Sequence, residues 1–246
     1  MHRFFAPSLD PGDAVVRLPR DEAEHLTRVL RLGPGDTVSV FDGRGREFLA
    51  RVAGAAGRDV RVELISRIEP VAESDVSFTL AQAILKGDKM DDVVRDAVML
   101  GVTAVQPVVT KHSEVTVAAL LRGNRLDRWR RVALASTKQS RRAVLPEIRT
   151  PLSFETYLEE PGSLLRLMLI EPEAGAATEA VGALRGTPPP SEVALLVGPE
   201  GGWAEGEWTA ARSRGIRLMT LGPRTLRADA APVAALSVLQ FIWAAD

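Results

Sequence analysis

Two glycine-bearing turns carry the residue types with the most chemistry to offer. The first, Leu196-Val197-Gly198-Pro199-Glu200-Gly201-Gly202-Trp203, follows an apolar run that begins at Val193. The second, Leu221-Gly222-Pro223-Arg224-Thr225-Leu226-Arg227-Ala228-Asp229, follows another apolar segment about one βα unit later. Turns spaced in this way fall at the same edge of a sheet, where α/β proteins bind ligands. Glycine lets the backbone approach a ligand closely, and a following helix offers free N–H groups. A phosphate is a poor fit. No Lys-Ser/Thr follows Gly202, the spacing is not Gly-x-Gly-x-x-Gly, and Glu200 puts an anion where a phosphate would sit. A neutral or cationic ligand suits the pair better, although tight strand-to-helix turns need glycine in any α/β protein.

The elements around these turns read as a strand and helix alternation. Strands are expected at Val76–Leu85, Val102–Thr110 and Leu164–Ile170. Helices are expected at Asp88–Leu100, with Gly101 as its stop, at Asn124–Ser136 and at Thr178–Leu184. Such alternation argues a mostly parallel sheet with helices on its faces. The last helix, about Ala230–Ala244, is nearly apolar, which suits a core or a subunit interface; Pro232 falls in its first turn, where the missing N–H costs little. Met1 to about Ile68 differs, with four short β-type segments and one helix near Asp21–Leu30 whose Ala23, Leu26, Val29 and Leu30 share a face. A small barrel is the expected outcome. The polar stretch Glu69–Asp75 marks the boundary, giving domains at 1–70 and 75–246.

With 246 residues, 46% of them hydrophobic, the chain can bury real cores. It has no cysteine, and its three histidines (His2, His25, His112) form no ligand-spaced cluster, so no metal is expected. No apolar run reaches the roughly 18 residues a membrane span needs, and Asp10 and Asp13 interrupt any signal peptide, which points to the cytosol. The net charge of −1 hides an asymmetry: Arg122 to Arg149 holds nine basic residues against two acids, whereas Thr150 onward holds seven against twelve. A local polyanion partner is one reading, and a solvated helix face the other. Gln139, Arg141 and Arg142 end this segment. Arginine can grip phosphate or stack on bases and Gln can pair with a base edge, so an RNA role stands beside that of a charged helix end.

The ordered set of motifs resembles the RsmE family of SPOUT methyltransferases. The likeness rests on Gly198–Gly202 and Leu221–Arg227, together with His2-Arg3-Phe4-Phe5, Val29-Leu30-Arg31, Gly35-Asp36, Phe41-Asp42-Gly43, Lys86–Asp91 and Gln139–Arg142. The resemblance implies a PUA-like RNA-binding barrel followed by an α/β domain with a deep trefoil knot over about 193–235. It also implies S-adenosylmethionine as cofactor and N3 of a uridine in 16S ribosomal RNA of the small subunit as target. Another SPOUT target, such as ribose 2′-oxygen, is the alternative, and a non-catalytic RNA-binding protein the next. Ile170-Glu171-Pro172, Leu196–Gly202, Leu221, Gly222 and Arg224–Arg227 are implied to wrap the cofactor, and Arg3, Arg31, Lys86, Lys89, Gln139, Arg141 and Arg142 to meet RNA. Arg227 would stabilise the uracil anion that forms as the N3 proton leaves, or brace the knot. Asp229 would act in proton transfer or cap the last helix. The family's acid at Asp229 is commonly a Glu, and a capping Ser or Thr stands where this chain has Ala204, with Glu207 three residues on. A homodimer through the last helix is expected.

Overall fold

The computed structural model describes residues 1–56, 58–161 and 165–243. The chain divides into two compact units. Met1–Glu73 with Thr137–Leu145 forms the first, and Ser74–Ser136 with Pro146–Asp246 the second. The expected second domain ran unbroken from residue 75. Instead, nine of its residues count with the first unit, because Arg3 and Glu73 bind them, as detailed below.

The first unit is built on β1 (Arg3–Phe5), β2 (Val15–Arg17), α1 (Arg20–Glu24), β3 (Thr37–Phe41), β4 (Glu47–Ala56) and β5 (Asp59–Ile68). The strands form one sheet in the order β1-β3-β4-β5-β2, antiparallel except for β1 beside β3. Alternation places Val38 and Val40 of β3, and Val60 and Val62 of β5, in a core with Phe4, Leu18 and Leu26. The helix expected to run to Leu30 changes pitch. Beyond α1 the chain winds as a π-turn over His25–Val29, with the Leu30 N–H bonded to the His25 carbonyl at 3.0 Å. The wider turn rotates Val29 off the inner face, and it is 65% exposed.

The second unit contains β6 (Ser77–Ala83), α2 (Lys89–Met99), β7 (Ala104–Val109), α3 (Val117–Arg122), α4 (Arg125–Gln139, ending in the first unit), β8 (Glu147–Ile148), β9 (Leu152–Ser153) and α5 (Phe154–Glu159). There follow β10 (Leu165–Leu169), β11 (Glu179–Ala180) with a 3₁₀ turn at Val181–Leu184, β12 (Glu192–Val197), α6 (Glu205–Ser213), β13 (Arg217–Thr220) and α7 (Ala231–Trp243). All its strands pair in parallel, in the order β11-β13-β10-β12-β6-β7-β8, with β9 also on β7. The helix expected from Thr178 is instead the edge strand β11, paired through Glu179 with Met219, and a single tight turn. Ladder bonds to β13 claim its first residues before a helix can form. The expected strand start at Leu164 and helix end at Ala244 lie outside the described residues.

Met90, Val93, Val94 and Ala97 of α2 are buried as the periodicity predicts, and Gly101 ends the helix with φ 87°. One sheet face packs Met168, Ala194, Leu196 and Ala81 against Phe154, Leu158 and Trp203. In α7, Leu236 and Leu239 are buried, while Phe241 is 74% exposed. No helix among the described residues is long and apolar enough to cross a membrane.

Candidate functional site

The order β13-β10-β12 puts the carboxyl ends of three parallel neighbours side by side, and the chain leaves each end in a turn. These turns line a cavity of about 630 Å³, a size common for small-molecule sites. From the turn after β10 come Ile170, Glu171 and Pro172; from that after β12, Val197 to Gly202; from that after β13, Leu221 and Arg224 to Asp229. Two residues expected there do not line it. Leu196 is buried in strand β12, and Gly222, at φ 136°, turns the chain while its carbonyl accepts from the Thr220 hydroxyl at 3.1 Å. Lys89, Leu169, Glu173, Ala174, Trp203, Thr220 and Ala231 also line the cavity. Lys89 and Trp203 belong to sequence motifs already noted, Lys89 as an expected RNA contact; Leu169, Glu173, Ala174, Thr220 and Ala231 show no local motif, and only the juxtaposition of strands finds them.

Steric contacts explain the glycines. A Cβ on Gly198 would sit 3.0 Å from the Trp203 indole nitrogen, and one on Gly202, whose φ is 65°, would sit 3.0 Å from a Glu171 carboxylate oxygen. The Trp203 ring is itself pinned, donating from Nε1 to the Leu169 carbonyl at 2.9 Å and packing on Phe154 with centroids 5.2 Å apart. That indole ties the turn after β12 to the end of β10. From the loop after β7, His112 Nδ1 lies 2.9 Å from the Gly201 carbonyl and 3.0 Å from the Gly202 carbonyl. Carbonyls only accept, so Nδ1 carries the hydrogen. Glu207 accepts from the Ala204 N–H at 2.9 Å and from the Lys111 N–H at 2.8 Å. Ala204 has no side-chain acceptor, so only half of a capping box forms. The spare Glu207 oxygen holds the neighbouring loop. His112 escaped the sequence reading because its partners are main-chain atoms.

The cavity is lined by four carboxylates (Glu171, Glu173, Glu200, Asp229) and three cations (Lys89, Arg224, Arg227), a balance of −1. Glu200 accepts from Lys89 Nζ at 2.8 Å and from the Lys86 N–H at 3.3 Å. Burial pushes its carboxyl up, but those bonds, its own N–H and the Lys89 charge outweigh this and hold it below the ordinary Glu value. Arg227 and Asp229 form a two-bond pair, Nε to Oδ1 at 3.1 Å and Nη2 to Oδ2 at 2.9 Å. Asp229 is likewise pushed up by burial and, on balance, held down by Arg227 and its own N–H. Its carboxylate serves Arg227. The first turn of α7 is tied instead through the Arg227 carbonyl, which accepts from the Ala230 and Ala231 N–H groups. The Arg227 side chain is 74% exposed, with Nη1 directed to neither carboxylate oxygen. The arrangement offers close-approach backbone, a slight negative balance and one oriented guanidinium, which suits an extended cationic ligand beside an acceptor whose oxygens gain negative charge.

The basic residues separate into two groups. Arg3 spends all five N–H donors inside the first unit: Nε and Nη2 on Glu47 at 2.9 and 2.8 Å, Nη1 on the Thr137 and Lys138 carbonyls, and Nη2 on the Arg142 carbonyl at 2.9 Å. Arg142 is 4% exposed and paired with Glu73 at 2.6 Å. These two expected RNA contacts therefore hold residues 137–142 in place. Lys138 pairs with Glu22 at 2.8 Å, Arg128 with Asp88 at 2.9 Å, and Arg130 with Asp127 at 3.1 Å. Lys86 pairs with Glu114 and Lys89 with Glu200. Arg31, Gln139 and Arg141 are exposed, and Arg31 and Arg141 have no carboxylate partner among the described residues.

Residues 72–240 match the RNA methyltransferase domain family, and residues 18–65 the RNA methyltransferase PUA domain family. The chain is 32% identical over 231 residues to ribosomal RNA small subunit methyltransferase E of Synechocystis, covering 92% of this chain and 72% of that one. It is 29% identical over 248 residues to the protein of that name from Mycobacterium tuberculosis, covering 96% and 90%. Among solved structures, ribosomal RNA small subunit methyltransferase E of Neisseria gonorrhoeae, bound to S-adenosylmethionine, aligns with a TM-score of 0.87 at 32% identity over 99% of this chain and 98% of that one. A methyltransferase of Legionella pneumophila, also bound to that cofactor, aligns with a TM-score of 0.87 at 29% identity over 97% and 96%.

Proposed function

The chain belongs to the RsmE family of SPOUT ribosomal RNA methyltransferases, and on that premise we propose that it methylates N3 of a uridine in 16S ribosomal RNA, using S-adenosylmethionine. The observation that carries the reading is the cavity at the ends of β10, β12 and β13, with the Arg227–Asp229 pair on its wall. The residues present fit the cofactor: the turn from Gly198 to Gly202 brings main chain to the cavity wall for a neutral adenine, and the −1 balance tolerates a sulfonium. When bound, the cofactor supplies an electrophilic methyl group. The turns hold its adenosine through backbone N–H and C=O groups. Arg227, oriented by Asp229, donates to a uracil oxygen as the N3 proton passes to solvent water, and this donation favours the anionic base. Asp229 is a positioning residue here, because a carboxylate held below its ordinary pKa is a weak base.

Residues 193–235 are proposed to thread as the trefoil knot of the family, and α7 to pair with its counterpart in a two-fold dimer. The apolar side chains that α7 leaves outward, Val238 and Phe241, support that pairing. Arg31, Gln139 and Arg141 are the proposed RNA contacts, in a protein working in the cytoplasm. The test is methylation of small subunits from a strain lacking the modification, followed by digestion and nucleoside mass spectrometry. N3-methyluridine is the expected product; a 2′-O-methyl nucleoside, or no methylated nucleoside, overturns the reading.

A further inference from the structure

Within the first unit a second cavity, of about 420 Å³, lies between the start of β1, the middle of β3 and the chain that follows β5. Ile68, Pro70 and Val71 supply apolar walls, Ser39 part of the floor, and Arg141 a cation. Ser39 is fully buried, and its hydroxyl has no hydrogen-bond partner among the described residues. Buried polar atoms are almost always satisfied, so an orphan facing a cavity calls for a ligand or a water. Arg141 has φ 63°, the left-handed region that a side chain other than glycine occupies at a cost. It is exposed and has no carboxylate partner among the described residues. Such strain persists only where neighbours impose it, and here Arg3 does so by gripping the carbonyls of Thr137, Lys138 and Arg142 on either side.

We propose that this cavity binds one unpaired nucleotide of the RNA substrate, apart from the nucleotide that is methylated. The inference rests on the ribosomal RNA reading above. The base lies against the aliphatic side chains of Ile68, Pro70 and Val71, and its entry parts the groups that cover Ser39 Oγ in the free protein, so that the hydroxyl meets an edge that a paired base would have used. The phosphate meets Arg141, as single-stranded RNA modules combine a base slot with a backbone cation. Glu47 is neutralised by Arg3, so Glu69, exposed at the wall, is the remaining carboxylate there. That charge disfavours a run of phosphates lying across the cavity and leaves room for one.

Two substitutions separate this role from a structural one, because each relieves a defect in the free protein. Ser39→Val removes the orphan hydroxyl, and Arg141→Gly removes the left-handed strain, so both variants should melt at or above the parent temperature. Binding of an unmodified 16S rRNA transcript should nonetheless weaken, roughly five-fold for Ser39→Val, the worth of one ordinary hydrogen bond. For Arg141→Gly the salt dependence should flatten by about one unit of slope. Affinity for S-adenosylmethionine should not move in either variant. Both variants binding the transcript with the parent's affinity and slope would overturn the nucleotide site while leaving the methyltransferase reading intact. A parent protein that neither binds the transcript nor methylates small subunits would overturn both.

Discussion

His112 Nδ1 donates to the Gly201 carbonyl at 2.9 Å and shares that hydrogen with Gly202 at 3.0 Å, so one imidazole sets the tilt of two peptide planes beside the proposed cofactor. If those planes read the adenosine, His112→Ala should weaken S-adenosylmethionine binding about ten-fold, within the range for a lost charge-free contact plus loosened ordering. His112→Asn, whose amide can still donate, should restore part of the affinity. Titration calorimetry on both variants checks this, and equal affinities in all three proteins would place the histidine outside the binding turn.

Gly201 also touches His112 in another way. A Cβ at Gly201 would stand 3.1 Å from His112 Cβ, and a valine there adds two methyl groups to a position already too tight. Gly201→Val should abolish cofactor binding while circular dichroism still reports a folded chain. Parent-like binding by a folded Gly201→Val protein would show that the turn does not meet the ligand.

Arg227→Ala should slow methyl transfer on the order of 100-fold, the usual cost of losing one donor at a developing anion. Cofactor affinity should change little, since the guanidinium is turned toward Asp229 and solvent. The Asp229 carboxyl is held below the ordinary Asp value, so it stays ionised through neutral pH. Asp229→Asn should therefore lower the rate without altering the shape of the pH profile between pH 6 and 9. A rate that in that variant rises with pH more steeply than the parent's would instead make Asp229 the proton acceptor.

Asp42 is a stability element of the first unit. Its buried carboxylate accepts from the Arg44 N–H at 2.7 Å and the Arg46 N–H at 3.1 Å, and pairs with both guanidinium groups. Burial raises its pKa, but these partners outweigh it and hold the pKa below the ordinary value. The sign follows: stability from this group is present above the unfolded value of about 3.9 and is lost as pH falls through the lower folded value. Asp42→Asn should cost about 2 kcal/mol at pH 7, with the gap to the parent narrowing as pH drops below 4. Urea midpoints across pH 3 to 7 measure it, and a constant gap would assign the loss to packing instead of charge.

Phe241 tests the assembly. It is 74% exposed on α7, whereas Leu239, an equally apolar position two residues earlier, is buried in its own subunit. Leu239→Asp would therefore unfold the chain and say nothing about pairing. Phe241→Asp should leave a folded protein and shift sedimentation from dimer to monomer. An unchanged dimer would move the interface off this helix face.

The turns at Gly198–Gly202 and Leu221–Arg227 were legible in the sequence because their demands are local: a backbone that must come close to something excludes side chains, and strand periodicity places both at one sheet edge. The same holds for α2, whose 3.6-residue spacing of Met90, Val93, Val94 and Ala97 states its buried face. Charge was not legible in this way. Arg3, Arg141 and Arg142 share one residue type and adjoining motifs, yet Arg3 and Arg142 are consumed by Glu47 and Glu73, while Arg141 is left exposed. Composition counts ions, and only tertiary structure pairs them, because their partners lie 44 and 69 residues away. Val29 failed for a related reason, since a π-turn keeps the hydrophobic pattern and changes the angle per residue. His112 failed because main-chain acceptors leave no trace in sequence. What the chain determined by itself was the chemistry of its turns and the class of its fold. Which cations stay available for a ligand, and which loops brace the site, was decided by long-range contacts that no local pattern encodes.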